Sequence, residues 1–377
     1  MKKILLLSVS AGGGHNSAAK TIMDALEEMN CQVSLVDALK FVSPMLDRLV
    51  TGGYEKSAKY VPKAYSSIYK LSSVKTNKDE LDVWVRRVIG RRILRLIDSF
   101  KPDAIIGTHP FPLTALMKYK EKGILNIPIL SILTDYTAHP AYIQKNIDAY
   151  IVGDEDVSYI LCNSGIDKNK IYPFGIPISD DFLNDDKVEL VKKQLQLEDK
   201  FTVLLMGGSF GAGNIKKSLL ELLNCTHDFQ IIVVAGRDNL LKTKLEKLIS
   251  ELNPKKSVKI LGFTKDMPEL LTIGDVLITK PGGLTTTEAI MKAIPMVIPY
   301  YIPGQEEENV DFLLNNGLAL KTFKNYPLST IIDILIENPD RKQEIVDRMK
   351  RRRKTGSSHE IAKLTLKLIE ENEQKHT

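Results

Sequence analysis

The stretch TKPGGLTTTEA, residues 279–289, follows a short apolar run at 276–278 and precedes residues with a helical pattern. The order is therefore a short strand, a Gly-Gly turn and the start of a helix. A turn of this kind leaves the first backbone N–H groups of the helix free, and the helix dipole adds partial positive charge there. Because Gly282 and Gly283 have no Cβ, an anion can approach this backbone closely. The stretch predicts a phosphate site, and the alternative is an ordinary turn with the threonines as helix caps.

Neighbouring segments extend this predicted site towards a nucleotide sugar. Glu288 lies in the first turn of the predicted helix, where its carboxylate can accept hydrogen bonds from both hydroxyls of a ribose. The later segment YYIPGQEEEN, residues 300–309, is rich in side-chain acceptors that suit sugar hydroxyls. GGSFGAG (207–213) and GFTKDM (262–267) are two more loops at predicted strand ends. Ligands of an open α/β sheet bind at the carboxyl ends of parallel strands, so these segments predict one binding edge.

The beginning of the chain has the same alternation. Residues 4–9 form a continuous apolar run, which is typical of a buried parallel strand. The sequence GGGH at 12–15 breaks this run, and a helical pattern (17–29) and a second strand (33–37) follow. This order predicts a Rossmann-like start. It matches neither G-x-G-x-x-G nor a phosphate-binding Walker loop, so neither a dinucleotide nor ATP is predicted.

Two polar residues follow predicted strands in this first part. His15 lies at a helix start, where it is either a turn residue or a base at the mouth of a cleft. Asp135 follows a strand at 129–133, where it either caps a turn or acts as a carboxylate that takes a proton or orients His15. The residues alone leave both alternatives open.

Composition bounds the class of protein. The 377 residues suit two domains, and 43% hydrophobic with 26% charged residues is typical of a soluble globular chain. The three widely spaced cysteines, Cys31, Cys162 and Cys225, indicate reduced thiols in a cytosolic protein. No apolar run is long enough to cross a bilayer, so any membrane contact is expected to be peripheral.

Basic charge is concentrated in one region. Between Lys40 and Lys101 there are fourteen Lys/Arg residues against six Asp/Glu residues, although the whole chain carries only +5. Residues 41–100 interrupt the strand–helix alternation as a helical insertion. Its charge is typical of a solvated helix face or of a surface for anionic membrane, and nucleic acid ranks last because no nucleic-acid motif accompanies it. The predicted membrane and acceptor residues are Trp84, Arg86, Arg87, Arg91 and Arg92.

Several motifs in one order carry a family resemblance. GGSFGAG, GFTKDM, DVLITKPGGLTTTEA and PGQEEEN together resemble the C-terminal domain of the MurG-like nucleotide-sugar glycosyltransferases, which have the GT-B fold. The N-terminal SVSAGGGHNSA (8–18) is similar to the branch of monogalactosyldiacylglycerol synthases and processive diacylglycerol glucosyltransferases. The resemblance implies an α/β protein with two Rossmann-like domains facing across a cleft. The predicted divisions are 1–175 for the lipid-acceptor domain, 176–355 for the UDP-sugar domain and 356–377 for a helix crossing back to the first domain.

The resemblance also implies an activity: inverting transfer of a hexose from a UDP-sugar to the hydroxyl of diacylglycerol, with glucose favoured over galactose and the number of sugars left open. It implies no metal and no cofactor, and it makes His15 and Asp135 the catalytic residues. Its donor-binding positions in this sequence are Gly14, Gly208, Ser209, Arg237, Phe263, Thr264, Gly282, Gly283, Leu284, Thr285, Glu288, Gln305 and Glu306.

The same resemblance implies partners and a location. The expected partners are a UDP-hexose, diacylglycerol and an anionic membrane surface, without nucleic acid and with a homo-oligomer left open. The expected location is the cytoplasm, peripheral on the inner face of the cell membrane.

Three other functions stay open. One is a transferase of N-acetylglucosamine acting on a polyprenyl-linked cell-wall precursor, and another is a UDP-sugar epimerase. A third is a UDP-sugar sensor without catalysis, which the presence of His15, Asp135, Glu288 and Gln305 disfavours.

Overall fold

The computed structural model describes residues 1–10, 13–42, 80–207, 214–304 and 306–376. The described residues form two compact units, one made of 1–179 and 354–376 and the other of 180–353. The sequence predicted the same order of segments, with boundaries after 175 and after 355.

The first unit begins with alternating strands and helices. Among the described residues up to 179, the helices and strands are β1 Lys3–Ser8, α1 Gly14–Glu28, β2 Gln32–Asp37, α2 Ala38–Val42, α3 Glu80–Phe100, β3 Ala104–Gly107, α4 Pro110–Glu121, β4 Ile129–Ile132, β5 Ala149–Ile151, α5 Glu155–Asn163 and β6 Ile171–Tyr172. All six strands are parallel, in the order β2-β1-β3-β4-β5-β6.

The second unit repeats this plan. Its elements are α6 Val188–Leu195, β7 Thr202–Met206, α7 Ile215–Leu223, β8 Gln230–Val234, α8 Asn239–Leu252, β9 Val258–Leu261, α9 Met267–Ile273, β10 Val276–Ile278, α10 Gly283–Lys292, β11 Met296–Ile298, α11 Glu307–Asn315, β12 Ala319–Lys321, α12 Leu328–Glu337 and α13 Pro339–Arg352. Its parallel sheet has the order β12-β11-β10-β7-β8-β9.

The last helix, α14 (Ser357–His376), belongs to the first unit, where it packs against α1. Its apolar residues join one face of the β1 strand: Ile361 and Leu364 lie in the same core cluster as Ile4 and Leu6. The alternate residues of β1, Leu5 and Leu7, pack in a second cluster on the opposite face of the sheet. Both faces are therefore buried, which is why β1 is a continuous apolar run rather than an alternating one.

Helix α3 shows the expected two faces where its side chains are described. Ile89, Ile93 and Ile97 are buried, whereas Arg91 and Arg92 are exposed. Among the described residues, no helix combines the length and the apolar character that crossing a bilayer requires.

Candidate active site

His15 lies at the start of α1, just after the carboxyl end of β1, and its side chain is buried. Its Nδ1 atom is 2.7 Å from the carbonyl oxygen of Thr108 and 2.9 Å from Oγ1 of Thr134. A carbonyl oxygen can only accept a hydrogen bond, so Nδ1 of the neutral ring carries the proton. The lone pair is therefore on Nε2, which makes Nε2 the basic atom of the ring.

The charge state of His15 is set by effects that act on its pKa in opposite directions. Burial lowers the pKa of His15, while the nearby carboxylate of Asp135 and the hydrogen bond to Thr108 raise it. Burial is the largest of these effects, so the ring is neutral near pH 7 and able to take a proton. Asp135, half-buried after β4, is placed to stabilise the imidazolium that would form. The ring is oriented by Thr108 and Thr134, two residues that the sequence analysis did not select.

A second histidine, His109, contacts His15, and a third, His139, lies near His109. The ring of His109 lies edge-on to the ring of His15, with the ring centres 4.7 Å apart. The backbone N–H of Phe111 donates to Nδ1 of His109, which caps α4, and the N–H of Ala141 donates in the same way to His139. Burial, followed by the charges of His15 and His139, holds the pKa of His109 well below its usual range. His109 is therefore a neutral ring that packs edge-on against His15.

A series of side-chain hydrogen bonds links the start of α1 to the ends of β1 and β2. Oγ of Ser8 donates to Oδ1 of Asn16 at 2.6 Å, and Nδ2 of Asn16 donates to Oγ of Ser10 at 2.8 Å. Ser10 donates in turn to Asp37, at the end of β2. These bonds join the ends of β1 and β2 to the first turn of α1, and so they fix the part of the backbone that carries His15.

In the second unit, the Gly-Gly turn opens helix α10 as the sequence predicted. Gly282 is the residue before the helix, in extended conformation, and no side chain caps the helix start. The alternative that threonines act as caps fails: Thr287 donates to the carbonyl oxygen of Gly283 inside the helix, and the buried hydroxyl of Thr286 has no partner among the described residues. No side chain of the described residues therefore uses the first N–H groups of α10, as an anion site requires.

Glu288 lies in the second turn of α10, not in the first turn as the sequence predicted, because the helix begins already at Gly283. Burial raises the pKa of its carboxyl to about 8, although the side chain is partly exposed. Within the described part of the chain, this carboxyl makes no hydrogen bond or ion pair. Once ionised, a carboxyl without a protein partner is a strong acceptor for ligand hydroxyls.

A second carboxylate, that of Glu306, is paired inside the same unit. Glu306 is only 4% exposed. Its Oε2 accepts the backbone N–H of Ile302 at 2.8 Å, and its Oε1 forms an ion pair with Nζ of Lys280. A Cβ placed on Gly282 would lie 3.6 Å from the Lys280 ammonium and 3.9 Å from Glu306. The ion pair therefore flanks the start of α10.

The ends of β8 and β9 present an exposed aromatic ring with a cation beside it. Phe263 is 62% exposed, and Cζ of Arg237 lies 5.2 Å from the centre of its ring. The next residue, Thr264, donates through its hydroxyl to Asp266 at 2.9 Å, and it accepts the N–H of Asp266 at 3.0 Å. Arg237, predicted as a charge near the nucleotide, is thus positioned by an aromatic contact.

The chain was compared with known proteins. Residues 15–178 match the family model described as monogalactosyldiacylglycerol (MGDG) synthase, and residues 187–353 match the model described as glycosyl transferases group 1. The processive diacylglycerol beta-glucosyltransferase of Staphylococcus haemolyticus is 30% identical over 379 aligned residues, which cover 99% of this chain and 94% of that protein. The protein of the same name from Bacillus subtilis is 28% identical, covering 97% of this chain and 95% of that one. The chain belongs to the processive diacylglycerol glucosyltransferase family.

Solved structures confirm the GT-B fold of this diacylglycerol glucosyltransferase family member. Acinetobacter baumannii MurG superposes with a TM-score of 0.65 at 16% identity, covering 97% of this chain and 100% of that one. The UDP-GlcNAc 2-epimerase of Neisseria meningitidis, bound to UDP-GlcNAc, gives a TM-score of 0.60 at 17% identity, with the same coverage of both chains. At these identities the likeness shows the fold alone.

Not every predicted residue of this glucosyltransferase family member can be placed. Gly208, Ser209 and Gln305 lie outside the described residues, and so do the side chains of Trp84, Arg86 and Arg87. Gly14, predicted near the donor, is the first residue of α1 in the first unit. Leu284 and Thr285 lie in the first turn of α10. Among the described residues, no cluster of three or more His, Cys, Asp or Glu side chains suits a metal ion.

Proposed function

We propose that the protein transfers a hexose, glucose rather than galactose, from a UDP-sugar to the hydroxyl of diacylglycerol, with inversion at the anomeric carbon. The observation that carries this proposal is His15, a buried neutral base whose tautomer is fixed by the Thr108 carbonyl. It lies in the segment that matches the monogalactosyldiacylglycerol synthase model, and full-length relatives are named for glucosyl transfer to diacylglycerol.

The reaction needs one proton transfer and one displacement. Nε2 of His15 takes the proton of the acceptor hydroxyl while its oxygen forms a bond to the anomeric carbon. The bond from that carbon to the phosphate oxygen breaks at the same time, and the electron pair leaves with UDP. A single displacement of this kind inverts the configuration. Asp135 stabilises the imidazolium formed on His15.

The leaving UDP gains negative charge, and we assign its stabilisation to the free N–H groups at the start of α10. These fixed donors supply the positive charge, so we expect turnover without a metal. Glu288 takes the ribose hydroxyls, and the exposed Phe263 ring with Arg237 suits the uracil. The acceptor is expected at the inner face of the membrane, where the exposed Arg91 and Arg92 of α3 would favour anionic lipid.

A vesicle assay tests this function. Vesicles of diacylglycerol with anionic lipid are incubated with labelled UDP-glucose or UDP-galactose in the presence of a chelator. We expect labelled glycolipid from UDP-glucose, and a ladder of products would count the sugars added. Label on a polyprenyl-linked precursor instead, conversion of the free UDP-sugar to an epimer, or binding without turnover would each replace the proposal with a different function.

The pKa of Glu288 gives a pH-dependent prediction for UDP binding. Ribose hydroxyls donate best to the ionised carboxylate, which is the minor form below the pKa of about 8. The ionised fraction rises about tenfold between pH 7 and pH 9, so UDP affinity should rise by up to that factor over the same range.

Two controls isolate this effect in calorimetric titrations. The Glu288→Gln variant should bind UDP roughly tenfold more weakly than the parent at pH 9, with an affinity that is flat with pH. The ligand 2′,3′-dideoxy-UDP has the same phosphates but no ribose hydroxyls, and its affinity should not follow Glu288. A pH dependence that both ligands share would refute the ribose assignment.

A further inference from the structure

The two members of the Lys280–Glu306 ion pair differ in their exposure to solvent. The carboxylate is the buried member, with 5% of its side chain exposed, whereas the Lys280 side chain is 20% exposed. The pair therefore presents its positive end to solvent. That end lies beside Gly282, the residue that precedes the uncapped first turn of α10.

Glu306 is held rigidly in this arrangement. The N–H of Ile302 donates to its Oε2, and the N–H of Glu306 donates to the carbonyl oxygen of Ile302 at 3.1 Å. These two bonds join Ile302 to Glu306, just before α11. The carboxylate therefore cannot move without losing the hydrogen bond from the Ile302 N–H, and it serves as an anchor for the Lys280 ammonium.

Stability alone is a weak explanation for such a pair. Removing a carboxylate from water is costly, and an apolar pair of similar volume is often at least as stable. A fixed cation next to a phosphate site has a clear use, however. An ammonium has three N–H donors, and its bond to Oε1 of Glu306 leaves donors for an anionic ligand.

We propose that Lys280 binds the diphosphate of the donor and that Glu306 is the positioning residue that holds its ammonium beside the start of α10. This inference rests on the UDP-sugar donor of the proposed function. It assigns Lys280 a charge-stabilising role as UDP leaves, because the cation and the free N–H groups of α10 act on the same phosphate. The family resemblance implies instead a direct contact of Glu306 with the hexose, and the titrations below distinguish the two roles.

Three ligands separate these roles: uridine, UDP and UDP-glucose, each titrated by calorimetry against the full chain. The Lys280→Met variant should bind UDP and UDP-glucose roughly 10- to 100-fold more weakly, the range for a lost charge-assisted hydrogen bond, with uridine affinity unchanged. Lys324→Met is the matched control, since Lys324 is an exposed lysine outside the site, and it should bind all three ligands as the parent does.

Glu306→Gln tests the positioning role. It should weaken UDP by about fivefold, because the ammonium loses its charged anchor. The double variant, with Lys280→Met and Glu306→Gln together, should bind UDP no more weakly than Lys280→Met alone, because Glu306 acts through Lys280. The double variant also removes both charges, so no unpaired carboxylate is left buried if Lys280→Met alone fails to fold.

The outcomes test the proposed function and the role of Lys280 separately. A parent protein that binds no UDP would overturn the proposed function. A parent that binds UDP, with Lys280→Met binding it equally well, would overturn only the role of Lys280. If Glu306→Gln weakens UDP-glucose but not UDP, then Glu306 contacts the hexose directly and the positioning role is wrong.

Discussion

Replacing His15 by alanine is expected to reduce kcat by about 10³-fold, because the acceptor hydroxyl loses the base that takes its proton. The donor KM is expected to stay close to that of the parent, since the residues that the proposed function assigns to the diphosphate, ribose and uracil lie in the 180–353 unit. The measurement is initial-rate formation of labelled glycolipid on diacylglycerol vesicles, with UDP-glucose varied.

His359→Ala is the matched control for this experiment. His359 is a histidine of the same unit, on α14, and its Nε2 lies 3.0 Å from Glu28 at the far end of α1. A helix of that length separates its two ends by about 20 Å. The control should keep the parental kcat. If His15→Ala also keeps it, His15 is a structural residue and the proposed base is wrong.

Replacing Asp135 by asparagine is expected to lower kcat roughly 10- to 100-fold and to shift the pH profile. The carboxylate raises the pKa of His15, so its removal lowers that pKa further. The base must be neutral to act. The acid limb of kcat/KM, which reports the base of the free enzyme, should therefore move to lower pH, while the plateau falls because a weaker base accepts the proton.

The pH profile also decides which of the two groups takes the proton. If Asp135 were the base, the asparagine variant would lose activity at every pH and no shifted limb would remain. A limb that moves to higher pH would mean that Asp135 disfavours the imidazolium. The first result would contradict the assignment of Nε2 of His15 as the base, and the second would contradict the role of Asp135 in stabilising the imidazolium.

Most strands of both sheets could be predicted from the sequence because their signals are local. A buried parallel strand is a continuous apolar run, and a Gly-Gly pair after such a run is a turn wherever it occurs. The start of α10 follows from that rule. Strand β12, only three residues long, has no comparable signal, and the sequence analysis missed it.

The partners of the site residues could not be read in this way. His15 is oriented by Thr108 and Thr134, which follow it in the sequence by 93 and 119 residues. Lys280 and Glu306 are 26 positions apart and meet because β10 and β11 are neighbours in the sheet. Such pairings depend on strand order, which a local pattern does not contain. The sequence therefore identified His15 and Glu306 as polar residues near strand ends without showing what each one contacts.

The return of the chain through α14 makes the first unit discontinuous: the 180–353 unit is nested between its two parts. During synthesis, the face of β1 that carries Ile4 and Leu6 can be covered by α1 but not by α14 until the residues of α14 have been made. The nested unit has its whole sheet within one continuous segment and can close its core first. The later part of the chain can therefore finish folding before the earlier part. Shortening the chain within α14 would expose the core of the first unit while sparing that of the nested unit.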